Sequence, residues 1–215
     1  MTSTRSRIRR AALGVTAAAA ALVLAACGSD DGSGTSTGDS SPSQTAEAEA
    51  GAHNDQDVSF AQDMIPHHQQ AIQMSRMAAT QASSAEVKDL AARIEKAQDP
   101  EIETMTGWLK AWGEDVPSGM PGMDHGGHSG DSSDMPGMMD SEDMDKLMDA
   151  SGAAFDTIFL TMMIEHHEGA VEMSTTEKGE GEYGPAKQLA DDIIASQTAE
   201  IAEMKQMLGQ SEGEN

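Results

Sequence analysis

Apolar residues recur at steps of three and four along four stretches of the chain. In residues 57–81 the series is Phe60, Met64, His67, Ala71, Met74 and Ala78, which is one face of a helix. A second stripe, in residues 84–112, comprises Val87, Leu90, Ala91, Ile94, Ala97, Gln98, Glu101, Ile102, Met105, Trp108 and Leu109. Ser83-Ser84-Ala85-Glu86 predicts a capping box at its start, and Gly113 a stop at its end. In residues 153–176 the inner side is Phe155, Ile158, Phe159, Met162, Met163, His166, Ala170 and Met173. A turn rich in Gly and Glu, residues 177–184, leads to a fourth helix over 185–208, with Pro185 in its first turn and Gly209 after its end. A short helix over 141–150 with Ser141 as cap is predicted between the two pairs. Pro66 and Pro100 lie inside the first two helices, where a lost amide donor predicts kinks. No stretch reads as a convincing strand.

The second pair of helices repeats the first. At an offset of 99 residues, Phe60–Leu109 aligns without a gap with Phe159–Leu208, and 17 of 50 positions are identical. The identities include Met64/Met163, His67/His166, His68/His167, Met74/Met173, Gln98/Gln197 and Glu101/Glu200. This is a duplicated αα-hairpin. Two amphipathic hairpins bury their stripes against each other, so the expected fold is all-α: a ferritin-like four-helix bundle with pseudo-two-fold symmetry. The domain is expected over residues 57–209: repeat one 57–112, a Met/His-rich linker 113–152 and repeat two 153–209, with a disordered tail over 210–215.

The N-terminus reads differently. Arg5, Arg7, Arg9 and Arg10 precede an apolar run from Ala11 to Ala26, too short for a comfortable membrane span. Leu24-Ala25-Ala26-Cys27 ends it, as in a lipoprotein signal whose acceptor is Cys27. An ordinary signal peptide with a chance cysteine is the plainer alternative. On the lipoprotein reading residues 1–26 would be removed, and 27–56, rich in Gly, Ser, Thr, Asp and Ala and with Glu47 and Glu49, would tether the domain to the outer face of the cell membrane. Cys27 is the only cysteine, which excludes a disulfide framework or a Cys-based metal site. Loss of four Arg and no acid takes the formal charge from −24 to about −28, so nucleic acid is not an expected partner.

The candidate chemistry lies in the repeated phrase. Met64, His67 and Met74 share a helical face, with His68 beside it, and Met163, His166, His167 and Met173 repeat the arrangement. Met162 is a weaker candidate four residues before His166. Thioether sulfur is a soft donor that suits Cu(I), and imidazole suits Cu, Zn and Ni. A di-iron bundle needs a Glu-x-x-His pair in each half; the residues three before these histidines are Met64, Ile65, Met163 and Ile164. The ion expected is therefore copper, Cu(I) before Cu(II). His67 and His166 are expected to face inward and His68 and His167 to sit nearer the edge, with Asp63 placed to orient His67. Met stripes also serve simply as packing. In the linker, Met120, Met123, His125 and His128, then Met135, Met138 and Met139, form a Gly/Pro-rich tract suited to ion capture, or one whose Met content is incidental.

The phrases D-M-I-P-H-H-Q-Q-A-I-Q-M-S and F-L-T-M-M-I-E-H-H-E-G-A-V-E-M-S closely resemble the CopM-like family, long catalogued as a domain of unknown function. The resemblance covers residues 55–209 and implies an exported ferritin-like bundle, with copper binding in some members. By position, the ligands it implies are Met64, His67, His68, Met74, Met163, His166, His167 and Met173. The function expected is a tethered metal-binding protein that sequesters, resists or transfers copper, and not an enzyme. The competing readings are a metallo-oxidase and a structural bundle that presents a protein-binding surface. No Gly-x-Ser-x-Gly motif or phosphate-binding Gly loop supports nucleophilic or nucleotide chemistry.

Overall fold

The computed structural model describes residues 51–118 and 135–213, with side chains as far as Gly209. The expected leader, residues 27–50 of the expected tether with Cys27, and Met120, Met123, His125 and His128 of the linker lie outside the described residues. The last tether residues, 51–56, instead belong to the fold: His53 stacks on Trp112, Asn54 caps the first helix, and that helix begins at Asp55. Five helices follow in order: α1 (Asp55–Gln81), α2 (Ala85–Trp112), α3 (Ser141–Asp149), α4 (Gly152–Glu180) and α5 (Gly184–Gly213). No strand occurs among the described residues, and no helix there is long and apolar enough to cross a membrane. α1 packs along α2, α4 packs along α5, and α1 lies against α4 to join the hairpins into a four-helix bundle. α3 occupies the connection and touches α1 and α4.

Local chemistry sets the helix ends, in places differently from the pattern-based expectation. α1 starts with a capping box: Asn54 accepts from the Gln56 and Asp57 amides, and Asp57 accepts from the Asn54 amide at 2.7 Å. α2 lacks the expected box. Ser84 is its cap and accepts from Val87, Glu86 accepts the Ser84 hydroxyl, and the Ser83 hydroxyl goes to Asp156 instead of capping α2. Asp140, not Ser141, caps α3 through the Asp143 amide. Gly113 stops α2 in the left-handed conformation (φ 79°), as Gly does at this position. α4 continues through the expected turn to Glu180, with Glu177 fully buried, and α5 continues through Gly209. α1 and α2 stay helical through Pro66 and Pro100.

The interior divides into two apolar half-cores. One gathers Met74 from α1, Leu90 and Ile94 from α2, Phe155, Phe159 and Met163 from α4, Met204 from α5, and Met139 and Leu147 from the connection. The other gathers Phe60, Met64 and Ile65 from α1, Met105 and Leu109 from α2, Ala170 from α4, and Ala190 and Ile193 from α5. The 99-residue offset exchanges them: Leu90 and Ile94 in one match Leu189 and Ile193 at the other. Of two adjoining residues expected in the inner stripe, Ala97 is exposed and Gln98 is buried.

Two related carboxylates clasp the hairpins together. Asp57 of α1 accepts from the Glu182 and Tyr183 amides in the α4–α5 loop. Its mate at offset 99, Asp156 of α4, accepts from the Ser83 and Ser84 amides and the Ser83 hydroxyl in the α1–α2 loop. Each carboxylate therefore satisfies orphan amides at the entrance to a helix of the other hairpin. This fixes α1 and α4 antiparallel, so their centres cross where the His-His pairs lie.

Candidate metal centre

Between the half-cores lies a polar waist. His67, His68, His166 and His167 are all fully buried, so the expectation that His68 and His167 sit at the edge does not hold. Ala71 and Ile72 on α1 and Ala170 on α4 make the turn after each pair largely apolar, and the crossing of the two helices brings both pairs inside. The His67 and His166 rings are 3.7 Å apart between centroids, and His166 and His167 are 6.4 Å apart. Met64 and Met173 belong to one half-core, and Met74, Met162 and Met163 to the other, so each side of the waist has a thioether from each His helix. Met173 is half-buried, whereas Met64, Met74 and Met163 are fully enclosed.

Each second histidine is held by an acid from its own hairpin. His68 Nε2 lies 2.7 Å from Glu101, and His167 Nε2 lies 2.8 Å from Glu200. The two bonds are mates at offset 99. Gln98 and Gln197, one turn before those acids, are also buried mates. The signal for Glu101 and Glu200 was present in the sequence as a repeated acid on an otherwise apolar stripe. Asp63 does not orient His67, since the His67 Nε2 instead bonds the Pro136 carbonyl at 3.1 Å.

Pro136 belongs to a strap, residues 135–140, that crosses the waist. Gln70 clamps it by bonding both the amide and the carbonyl of Met139, each at 2.8 Å. On the other helix, the mate of Gln70 is Gly169, and a Cβ there would overlap the Pro136 carbonyl and press on the Gly137 amide. The strap thus needs a long amide on α1 and no side chain on α4. Met139 is buried beside the first half-core, so this part of the expected linker is packed structure.

Electrostatics disfavour a charged imidazole at His67 and His166. Burial pushes His67 down to about 3, with His68 and His167 adding to the effect and the Pro136 carbonyl opposing it. Burial, and then His67, His167 and His68, hold His166 well below the ordinary range. Neutral imidazoles are the form that binds metals. Nδ1 of His67, His68 and His167, and both ring nitrogens of His166, are buried without a hydrogen-bond partner. Such atoms cost roughly 1–3 kcal/mol each when nothing satisfies them. Among the described residues no three His, Cys, Asp or Glu side chains come together as a ready ligand set. The donors that remain are imidazole and thioether, a set that fits a soft ion.

Fold and waist together define a class: a duplicated helical bundle with paired histidines buried between methionine-bearing half-cores. The model of a family described as a domain of unknown function, DUF305, matches residues 57–208, and the chain belongs to this family. The crystal structure of a DUF305 protein from Streptomyces coelicolor is 33% identical, with a TM-score of 0.63 over 72% of this chain and 93% of that one. CopM in its Cu(II)-bound form is 39% identical with a TM-score of 0.60, covering 72% of this chain and 96% of CopM. In its Cu(I)-bound form the values are 37% and 0.59 over the same shares. No curated protein sequence matches the chain significantly.

Proposed function

We propose that this protein binds copper at the buried waist, as an exported and membrane-tethered carrier or sequestering protein. The observation that carries the reading is the set of fully buried imidazole nitrogens without partners between two half-cores that supply thioethers. An ion would satisfy atoms that nothing in the protein satisfies. The similarity to CopM, with its Cu(I)- and Cu(II)-bound forms, supports copper over other soft ions. The waist is enclosed and bordered by uncharged thioethers, which favours Cu(I), an ion of low charge and soft character. Tethering rests on the lipoprotein-like segment ending at Cys27. A binding role, and not a ferritin-like oxidase, is supported by the lack of a Glu-x-x-His pair in either repeat.

The test is competition for Cu(I) against a chromophoric chelator. The His67→Ala/His166→Ala double variant is expected to lose tight binding, with its helical circular dichroism unchanged. An affinity equal to that of the parent would remove the waist from consideration.

A further inference from the structure

We propose that Nδ1, and not Nε2, is the metal-binding atom of His67, His68 and His167, and that Glu101, Glu200 and the Pro136 carbonyl impose this choice. The inference rests on the copper-binding reading above. Its basis is hydrogen-bond polarity. A backbone carbonyl only accepts, so the 3.1 Å contact from His67 requires a hydrogen on Nε2. The carboxylates of Glu101 and Glu200 likewise accept from Nε2 of His68 and His167, at 2.7 and 2.8 Å. With Nε2 of each ring engaged by an acceptor, the nitrogen left to offer a lone pair is Nδ1. In all three, Nδ1 is buried and unpartnered. A second hydrogen placed there would be a buried donor with no acceptor, which is the more costly arrangement.

His166 is the exception. Neither of its nitrogens makes a full hydrogen bond, and the His67 backbone beside it is the weaker acceptor that acts on this ring. Three rings are therefore preset and one can adapt. Glu101 and Glu200 also act as positioning residues. They lock ring rotation, raise the basicity of the far nitrogen and place negative charge beside a layer that would receive a cation between apolar walls. Both are only partly exposed, at 19% and 15%.

The experiment is imidazole NMR on the full chain labelled with 15N-histidine, assigned through single His→Gln variants. Without metal, His67, His68 and His167 are expected to carry their hydrogen on Nε2. A hydrogen on Nδ1 in these rings overturns the assignment, whatever metal binds. Ag(I), used as a redox-inert monovalent probe, is then expected to shift Nδ1 of these rings. Uptake that perturbs Nε2 instead overturns the donor atom while leaving copper binding intact. No uptake at all overturns the proposed function and the ligand role with it. For the positioning role, Glu101→Gln and Glu200→Gln retain an accepting oxygen and are expected to keep Cu(I) affinity within a few-fold. Glu101→Leu and Glu200→Leu are expected to lose about tenfold or more and to release the tautomer preference. Leu variants with unchanged tautomers and affinity overturn the role. Should they fail to fold, the parent's tautomers still decide the donor atom.

Discussion

The two half-cores descend from the same repeat positions, yet they are built differently. The one beside α3 has Phe155, Leu160 and Met162 on α4, where the other has Gln56, Ala61 and Asp63 on α1. Met77 and Met207 line the first, and their mates are Thr176 and Trp108. The second is closed at its end by aromatics: His53 stacks on Trp112 at 4.4 Å, and Tyr183 meets Trp112 edge-on at 5.2 Å. At the waist, by contrast, both repeats place His, His, Gln and Glu identically. The ends of the bundle have been free to solve packing separately. The middle uses two equivalent sets of polar groups in one shared layer.

The sharpest way to probe that contrast is to cut the same side chain from each half. Phe159 is fully buried, stacked on Phe155 at 5.8 Å, in the larger half-core. Phe159→Ala is expected to cost toward the upper end of about 3–5 kcal/mol in urea unfolding. Its mate Phe60, 3% exposed in the smaller half-core, is expected to cost toward the lower end. Equal losses would mean the half-cores are energetically alike despite their composition.

The next effect is local to the strap. Gly169→Ala puts a methyl group into the Pro136 carbonyl, so the strap must lift or α4 must shift. The expected loss is about 1–3 kcal/mol, with faster amide hydrogen exchange over residues 135–149 and little change in the aromatic half. Lifting the strap also takes away the acceptor of His67 Nε2, so that ring is expected to lose its tautomer preference first.

Much of this was legible in the sequence, for a definite reason. Duplication doubles a periodic signal, so four helices, their pairing and the inward direction of His67 and His166 could be read from spacing alone. What spacing could not carry was contact between residues far apart in the chain. Glu101 and Glu200 were visible as repeated acids, but their bonds to His68 and His167 depend on how α1 packs on α2 and α4 on α5. The strap was less legible still. Its Gly/Pro composition reads as linker, and its seat requires Gln70 on one helix and Gly169 on the other. The helix ends that moved, at Glu180 and Gly209, moved because a buried side chain or an ordinary helical backbone overrode a glycine signal.

A difference at one end of the bundle gives the smallest and most specific effect. Glu177 is fully buried, and its mate at the other end is Ala78. Burial pushes Glu177 up to about 8, with the neighbouring Asp57 carboxylate acting in the same direction. Asp57 itself is held below the usual range: burial would raise it, but the neighbouring Glu177 carboxyl and the amides of Asn54, Tyr183 and Glu182 outweigh that. The folded state thus keeps a proton on Glu177 that the unfolded chain releases above about 4.5. Its contribution to stability is complete below that value and is lost as pH rises toward 8. Glu177→Gln keeps a hydrogen-bond donor for Asp57 without that proton. The variant is expected to match the parent at pH 5 and to be more stable at pH 9 by about 1 kcal/mol, or roughly 3 °C in Tm. His67 and His166 act in the opposite sense, destabilising the fold as pH falls below the ordinary histidine range. They are present in both proteins, so the difference between the two melting curves reports Glu177 alone. A constant offset across pH 5–9 would mean that the carboxyl is not the group that distinguishes this end of the bundle from its mate.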